Sequence, residues 1–265
     1  AIVMPYLRGS AFEDRMGCVA WPVPFHAGYP DGKNYGGIHS EAYAATAAEI
    51  VAASRRHFSE TPELAERIFC WPYRGEVGSA AYERHVRLAG IVRAADRQMP
   101  ILSQLPPTMP NSAGWSVPKE FSRLADIFAP QGEWLNPADA ARLARPEYPL
   151  AGLWLAPGTP PYVPSLGVIA TPADVRALAW FAMKYKCTGL FLPEVLNWSG
   201  EMTSADAGSA ARLFYPGTIV GSDKVLPSVR LKRLRRGLQD AAYLSLLKQR
   251  QRMGVALAVT NAMVR

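Results

Sequence analysis

Glu76 is the side chain whose position best suits acid–base chemistry. It stands in RGEVG, where an apolar run ends and a helical pattern begins. A carboxylate at such a turn can act as a general acid if apolar neighbours, here Trp71, Tyr73 and Val77, exclude water and raise its pKa. The alternative is a solvated glutamate in the first helical turn, where the helix dipole favours negative charge.

Glu194 is the first candidate for a second carboxylate. It follows the apolar run at 189–192, so we expect it at the carboxyl end of a strand. Glu133 lies in a loop, and Asp126 begins its apolar run, which places it at the opposite end of a strand. For Glu194 the alternative is a loop carboxylate paired with a nearby lysine or arginine.

Aromatic side chains at or after the ends of the apolar runs could stack on a sugar ring and hydrogen-bond its hydroxyls. They are Tyr73, Trp115, Trp134, Trp154, Tyr162, Trp198 and Tyr215. Buried core aromatics are the standing alternative. Trp154 suits either role, and Trp180, in the middle of a helical pattern, is expected in the core.

We expect no metal site and no cofactor. The four histidines share no metal-ligand spacing. The three cysteines are an odd number without a C-x-x-C pair, which argues against a zinc motif and a disulfide framework. No G-x-S-x-G elbow supports a serine hydrolase.

Short apolar runs alternate with helical patterns along most of the chain. The predicted strands are at 67–73, 101–105, 126–129, 151–156 and 189–192, with weaker candidates at 2–6 and 18–23. The predicted helices are at 41–57 with Ser40 as its cap, 79–97, 121–124, 137–143 and 172–186. This alternation predicts parallel strands joined by helical crossovers, in a doubly wound sheet or a barrel.

The connections after the strands favour a (β/α)8 barrel over an open sheet. They are long and rich in proline and aromatic residues, as in QLPPTMPNSAGWSVP and APGTPPYVPSLG. Loops at the carboxyl ends of barrel strands form active sites, and no glycine-rich phosphate fingerprint follows any strand. We therefore expect one α/β barrel domain over 1–265, with an irregular start over 1–40 and an incomplete or divergent N-terminal part.

The net charge of +7 raises the question of a polyanion partner. Much of this charge lies in RLKRLRR at 230–236, where Leu231, Leu234 and Leu238 recur at helical spacing. That pattern predicts an outer helix with a solvated basic face. An acidic partner, an anionic glycan, a membrane surface or a nucleic acid is the alternative, although the face selects none of them and we expect no nucleic acid.

No apolar run approaches the roughly 20 residues that a membrane span needs. The sequence also lacks the charged start, apolar stretch and cleavage site of a signal peptide. We therefore expect either that a signal was removed or that the sequence is a piece of a longer chain.

The final third of the sequence carries the most specific pattern. It consists of Arg176 and Trp180 on a helix, Gly189 and Trp198 around a strand, YPG at 215–217, PSVRL at 227–231, and Arg236, Gly237, Asp240, Tyr243 and Leu244. With RGEVG, these segments resemble the catalytic domain of glycoside hydrolase family 123, the β-N-acetylgalactosaminidase family, from about residue 58 onwards. The resemblance implies a (β/α)8 barrel, an oligosaccharide or glycoconjugate substrate and a secreted or periplasmic location. A β-sandwich usually precedes this barrel in the family, and we do not expect these 265 residues to hold one as well.

The resemblance also implies roles for two adjacent residues. The family pattern has an Asp-Glu pair at a strand end; Glu76 matches the general acid/base, and Gly75 stands where the Asp should be. That Asp orients the substrate's 2-acetamido group, whose oxygen attacks the anomeric carbon. Without it this mechanism is badly weakened unless another carboxylate reaches the site. If Glu194 faces Glu76, their separation decides between a retaining and an inverting mechanism.

The leading expectation is therefore hydrolysis of a hexosaminide, with β-linked N-acetylgalactosamine favoured. A barrel that binds a glycan but no longer cleaves it is the second possibility, because Gly75 replaces the Asp. A module that binds a polyanion through the helix at 230–236 is the third.

Overall fold

The computed structural model of the chain describes residues 3–13, 15, 17–26, 28–108, 116–143, 150–158, 163–167, 170–192, 195–196, 198 and 212–264. The fold is mixed α/β, with parallel strand pairs between helices, which confirms the predicted class. In the part of the chain that is described, no helix combines the length and apolarity needed to cross a membrane.

The chain forms two compact units. The first comprises Ala1–Ala129 and Leu143–Gly152, and the second comprises Pro130–Arg142 and Leu153–Arg265. The single barrel domain expected from the sequence stays a prediction.

The first unit carries most of the predicted alternation of strands and helices. Its elements are α1 (Met4–Arg8), β1 (Trp21–His26), α2 (Glu41–Ser59), α3 (Pro62–Ala65), β2 (Ile68–Trp71), α4 (Ser79–Ala95), β3 (Leu102–Ser103), α5 (Phe121–Leu124) and β4 (Ile127–Phe128). Ser40 caps α2 as predicted, because its hydroxyl accepts a hydrogen bond from the backbone N–H of Tyr43 at 3.1 Å.

The strands of the first unit are parallel and follow one another in chain order. β1 pairs with β2, a bridge joins Cys70 of β2 to Ile101, and β3 pairs with β4. The N–H of Gly152 then donates to the carbonyl of Asp126 at 2.9 Å, just before β4. All these strands therefore start at one end of the unit and finish at the other.

The core of the first unit forms where α2 and α4 cover these strands. Buried residues of α2 recur every three or four positions, from Tyr43 through Ala47 and Val51 to Phe58. They pack in one apolar cluster with strand residues such as Phe25. This spacing gives α2 the single apolar stripe that burial against a sheet requires.

The second unit contains one further parallel pair and a helix of 21 residues. Its elements are α6 (Ala138–Leu143), β5 (Gly152–Leu155), α7 (Pro172–Lys184), β6 (Gly189–Leu190), β7 (Phe214–Tyr215), β8 (Leu226–Pro227), α8 (Val229–Gln249) and α9 (Met253–Met263), of which Leu143 and Gly152 are counted in the first unit. β5 pairs with β6 in parallel, whereas β7 and β8 are antiparallel. Thr171 and Asp174 form a reciprocal capping box that starts α7.

The two weak strand candidates at the start of the sequence have different outcomes. The prediction of a strand at 2–6 is wrong, because the described part of that segment enters α1. Pro5 lies in the first turn of α1, Gly9 ends it at φ 83°, and Leu7 is buried. A short apolar run has no periodicity that separates a strand from one helical turn. The candidate at 18–23 is confirmed as a strand that begins later, at Trp21.

Candidate functional site

Glu76 follows the carboxyl end of β2 and is exposed to solvent. Helix α4 begins three residues later at Ser79, with Gly78 as its N-cap, so Glu76 is not a first-turn residue. No hydrogen bond or ion pair joins Glu76 to another residue in the described part of the chain. The carboxylate is therefore open to an incoming ligand, and the burial by neighbouring apolar side chains, which was the condition set for a general acid, is not observed.

The ring of Tyr73 lies over Gly75. A Cβ atom built on Gly75 would overlap the hydroxyl oxygen of Tyr73 and would lie 2.7 Å from its Cζ atom. An aspartate at position 75 would therefore need the Tyr73 ring to turn away. The phenol hydroxyl of Tyr73 takes the space in which a carboxylate next to Glu76 would begin.

The same loop holds one arginine close to an aromatic ring. The guanidinium carbon of Arg74 lies 5.9 Å from the ring centroid of Trp71, within the range of a cation–π contact. Trp71 and Tyr73 are half-buried, whereas Arg74, Gly75 and Glu76 are exposed. The end of β2 and the loop after it thus hold two half-buried aromatic rings and one exposed carboxylate.

Two predicted sugar-binding aromatics of the second unit are held by hydrogen bonds near β7. The Tyr215 hydroxyl accepts from Arg230 at 2.7 Å, and Arg230 also donates to the carbonyl of Leu166 at 2.9 Å. The indole N–H of Trp198 donates to the carbonyl of Phe214 at 3.0 Å. Trp198 is still 40% exposed, so one face of its ring can meet a ligand.

The other two described tryptophans of the prediction are less accessible. Trp154 is only 8% exposed. A Cβ on Gly189 would lie 2.9 Å from its indole ring, so the ring packs closely against this glycine across the β5–β6 pair. This position matches the core alternative that the sequence left open. Trp134 is half-buried at the end of a 3-10 turn, Gly132–Trp134.

Several predicted residues lie outside the described residues or in different units. Glu194, Trp115 and Tyr162 are outside the described residues. Glu76 and Tyr73 belong to the first unit, whereas Trp134, Trp154, Trp198 and Tyr215 belong to the second. The pairing of Glu76 with Glu194 stays a prediction.

The two other carboxylates weighed in the sequence lie where they were expected. Asp126 precedes β4, accepts from Arg93 and receives the backbone N–H of Ile101 at 2.9 Å. It is thus a structural anchor at the amino end of the strands. Glu133 is exposed in its 3-10 turn.

The most specific residues of the C-terminal pattern hold α7 against α8. Asp240 accepts from Arg176 at 2.6 and 2.9 Å and from the indole N–H of Trp180 at 2.9 Å. The hydrogen bond from Arg176 lowers the pKa of Asp240, and that of Trp180 acts in the same direction. These residues therefore connect α7 to α8. Their spacing in the sequence had not indicated this contact.

Glycine 237 lets the two helices approach closely. A Cβ on Gly237 would overlap the backbone carbonyl oxygen of Arg176 in α7. No larger residue fits without separating the helices, which gives a packing reason for glycine at this point in the pattern.

The basic segment at 230–236 has the solvated face that was predicted. Lys232, Arg233, Arg235 and Arg236 are exposed, and Leu234 is buried. Arg230 points inward to Tyr215, and Leu238, expected in the apolar stripe, is 48% exposed. The polyanion partner stays a prediction.

The first unit also contains a cavity of about 840 Å³ that no pattern in the sequence had indicated. It lies at the amino ends of the strands, away from Glu76, and its arginines come from α2, α4, α5 and the segment that follows α4. They share no local spacing, so only the folded chain brings them together.

Comparison with known proteins adds no assignment. No family model matches the chain, and no curated protein matches it. Among the described residues, no group of three histidine, cysteine, aspartate or glutamate side chains could hold a metal ion.

Proposed function

We propose that this protein is a glycoside hydrolase-like barrel that cleaves a hexosaminide, with β-linked N-acetylgalactosamine favoured and Glu76 as general acid/base. The observation that carries the proposal is the position of Glu76. It is an exposed carboxylate at the carboxyl end of a parallel strand, with no partner in the described part of the chain. In a barrel, this is the end at which catalytic residues lie. The resemblance of the sequence to family 123 supports the same role.

Glu76 would protonate the glycosidic oxygen as the bond breaks and would later take a proton from water. The aromatic faces of Tyr73 and Trp71 beside it suit the apolar face of a sugar ring. A second carboxylate must stabilise or attack the anomeric carbon, and Glu194 is our candidate. Their separation would decide the stereochemical outcome, since roughly 5 Å suits a retaining mechanism and a wider gap suits an inverting one.

A glycan-binding protein without cleavage is the second candidate, and the contact between Tyr73 and Gly75 favours it. Position 75 carries no carboxylate, and the Tyr73 hydroxyl takes the space where one would begin. A phenol hydroxyl can hydrogen-bond to a sugar but carries no negative charge at neutral pH with which to stabilise a cationic transition state.

The test is hydrolysis of aryl β-N-acetylgalactosaminides by the wild type, Glu76→Gln and Glu83→Gln. Glu83 is a matched control because it is an exposed glutamate on α4, a few residues away. We expect Glu76→Gln to lower kcat by about 10²-fold or more, since this is the size of a general acid's contribution. The loss should shrink with 2,4-dinitrophenol as leaving group, because that group departs without protonation. Equal rates for all three proteins would refute the role of Glu76.

Binding of the same sugars, measured by calorimetry, separates the two candidates. A wild type that binds but does not cleave supports the glycan-binding protein. The double variant Tyr73→Ala/Gly75→Asp should then gain cleavage, because the aspartate has room once the ring is removed. A wild type that neither binds nor cleaves these sugars contradicts both candidates.

A further inference from the structure

The cavity of about 840 Å³ in the first unit has the size of a small-molecule site. Its polar lining is dominated by arginine. The charged side chains that line it are Arg55, Arg93, Arg97, Arg123, Glu66 and Asp126. The lining thus contains four guanidinium groups and two carboxylates, which leaves it with more positive than negative charge.

Two of these arginines are already held in place by hydrogen bonds. Arg55 binds Asp96 at 2.5 Å and the carbonyl of Ala65 at 3.0 Å. Arg93 binds Asp126 and donates to the carbonyl of Met99 at 2.8 Å. Their guanidinium groups are thereby fixed at the cavity before any ligand arrives, which lowers the entropic cost of binding.

The other two arginines have no such partner. Arg97 and Arg123 are exposed, and in the described part of the chain neither side chain makes a hydrogen bond or an ion pair. The Asp126 carboxylate on the lining accepts from Arg93 and from the N–H of Ile101, so it is committed elsewhere. The side chains of Arg97 and Arg123 are therefore available to an anion from outside.

The cavity is distinct from the site around Glu76. Pro100, Asp126 and Ala151 line it, and each of them precedes a strand, β3, β4 or β5. Glu76 instead follows the carboxyl end of β2. Since the strands of this unit run parallel, the two places lie at opposite ends of it.

We propose that the arginine-lined cavity binds the phosphate or sulfate monoester group of a small molecule, with Arg97 and Arg123 as its charged ligands. Planar guanidinium groups offer paired N–H donors that match the oxygens of a tetrahedral anion. A volume of about 840 Å³ leaves room for an organic group attached to that anion. The ligand would contact Arg97 and Arg123, with the held guanidinium groups of Arg55 and Arg93 also on the cavity lining.

The experiment is calorimetric titration with inorganic phosphate, inorganic sulfate, glucose 6-phosphate, glucose 6-sulfate and glucose at constant ionic strength. The variant is Arg97→Gln/Arg123→Gln. The matched control is Arg84→Gln/Arg250→Gln, which removes the same amount of charge at two exposed arginines that lie outside both the cavity and the basic segment at 230–236. Because none of these side chains has a partner among the residues that the structure describes, all proteins should keep the wild-type melting temperature.

We expect the wild type to bind the anions and not glucose, the cavity variant to bind at least tenfold more weakly, and the control to stay within twofold. The ratio of glucose 6-phosphate to glucose 6-sulfate affinity identifies which ester the cavity prefers. No binding of any anion by the wild type at up to about 10 mM, where even weak specific sites fill, overturns the proposal. An equal loss in the control also overturns it, since binding would then follow net charge alone. If the double variant melts early, Arg123→Gln alone must still show the loss.

Discussion

His85 should make this protein sensitive to mild acid. The imidazole is fully buried on α4, and its ring meets the Phe121 ring edge to face at a centroid distance of 5.1 Å. Neither ring nitrogen has a hydrogen-bond partner among the described residues. Burial therefore lowers the pKa of His85 to about 3, because the charged form would lose its hydration without gaining a partner.

The sign and size of the effect follow from this pKa. In the unfolded chain His85 has a pKa of about 6.5, so below that pH the unfolded state binds a proton that the native state does not bind. The contribution of His85 to stability is thus intact above about pH 6.5 and is lost as the pH falls towards the folded pKa. At pH 5, 1.5 units below the unfolded value, the cost is about 2 kcal/mol.

The assay is urea unfolding at pH 8 and pH 5 for the wild type, His85→Leu and the control His57→Gln. His57 is exposed on α2, so this control removes an imidazole that is not buried. His85→Leu cannot take up a proton, and the stability it loses between pH 8 and pH 5 should be about 2 kcal/mol smaller than in the wild type. If His85→Leu loses as much stability as the wild type, the imidazole is not held neutral and the reasoning fails.

Two further predictions concern the joint between α7 and α8. Gly237→Ala should destabilise the protein by about 1–3 kcal/mol, because the added Cβ would overlap the carbonyl oxygen of Arg176. The control is Gly90→Ala, at a mid-helix glycine with open space around it, which should stabilise the protein by about 0.5–1 kcal/mol. Urea unfolding checks both, and a loss at Gly90 equal to that at Gly237 would show that the contact is not the cause. Asp240→Asn should lower the melting temperature at pH 7 but less so at low pH, because Arg176 and Trp180 stabilise the ionised form and this contribution is lost as the pH falls through the lowered pKa. An unchanged melting temperature at pH 7 would contradict a stabilising role for the contacts of Asp240 with Arg176 and Trp180.

The helices that the sequence predicted lie close to their observed bounds, although α1, α3 and α9 were not predicted. The helix expected at 41–57 is Glu41–Ser59, the one at 121–124 is Phe121–Leu124, and the one at 172–186 is Pro172–Lys184. Caps such as Ser40 and apolar side chains three or four positions apart act within one turn, so a local pattern is enough to define them.

The five main strand predictions, from 67–73 to 189–192, were in the right places but too long. The run at 101–105 contributes only Leu102–Ser103 to a strand, and the run at 126–129 only Ile127–Phe128. An apolar run marks residues that are buried, whereas a strand also needs a neighbour in register for its hydrogen bonds. Leu105 and Ala129 are buried without extending a strand.

The sequence by itself determined the α/β class, the five helices predicted from 41 to 186 and the position of Glu76 after a strand, because all three depend on residues close to one another in the chain. Only the tertiary structure decided the bond between Arg55 and Asp96, 41 residues apart, and the one between Arg176 and Asp240, 64 residues apart. It also decided that three helices and the segment after α4 bring four arginines to one cavity. Such contacts arise when whole helices and strands pack against each other. The sequence pattern of one element does not specify which other element will pack against it.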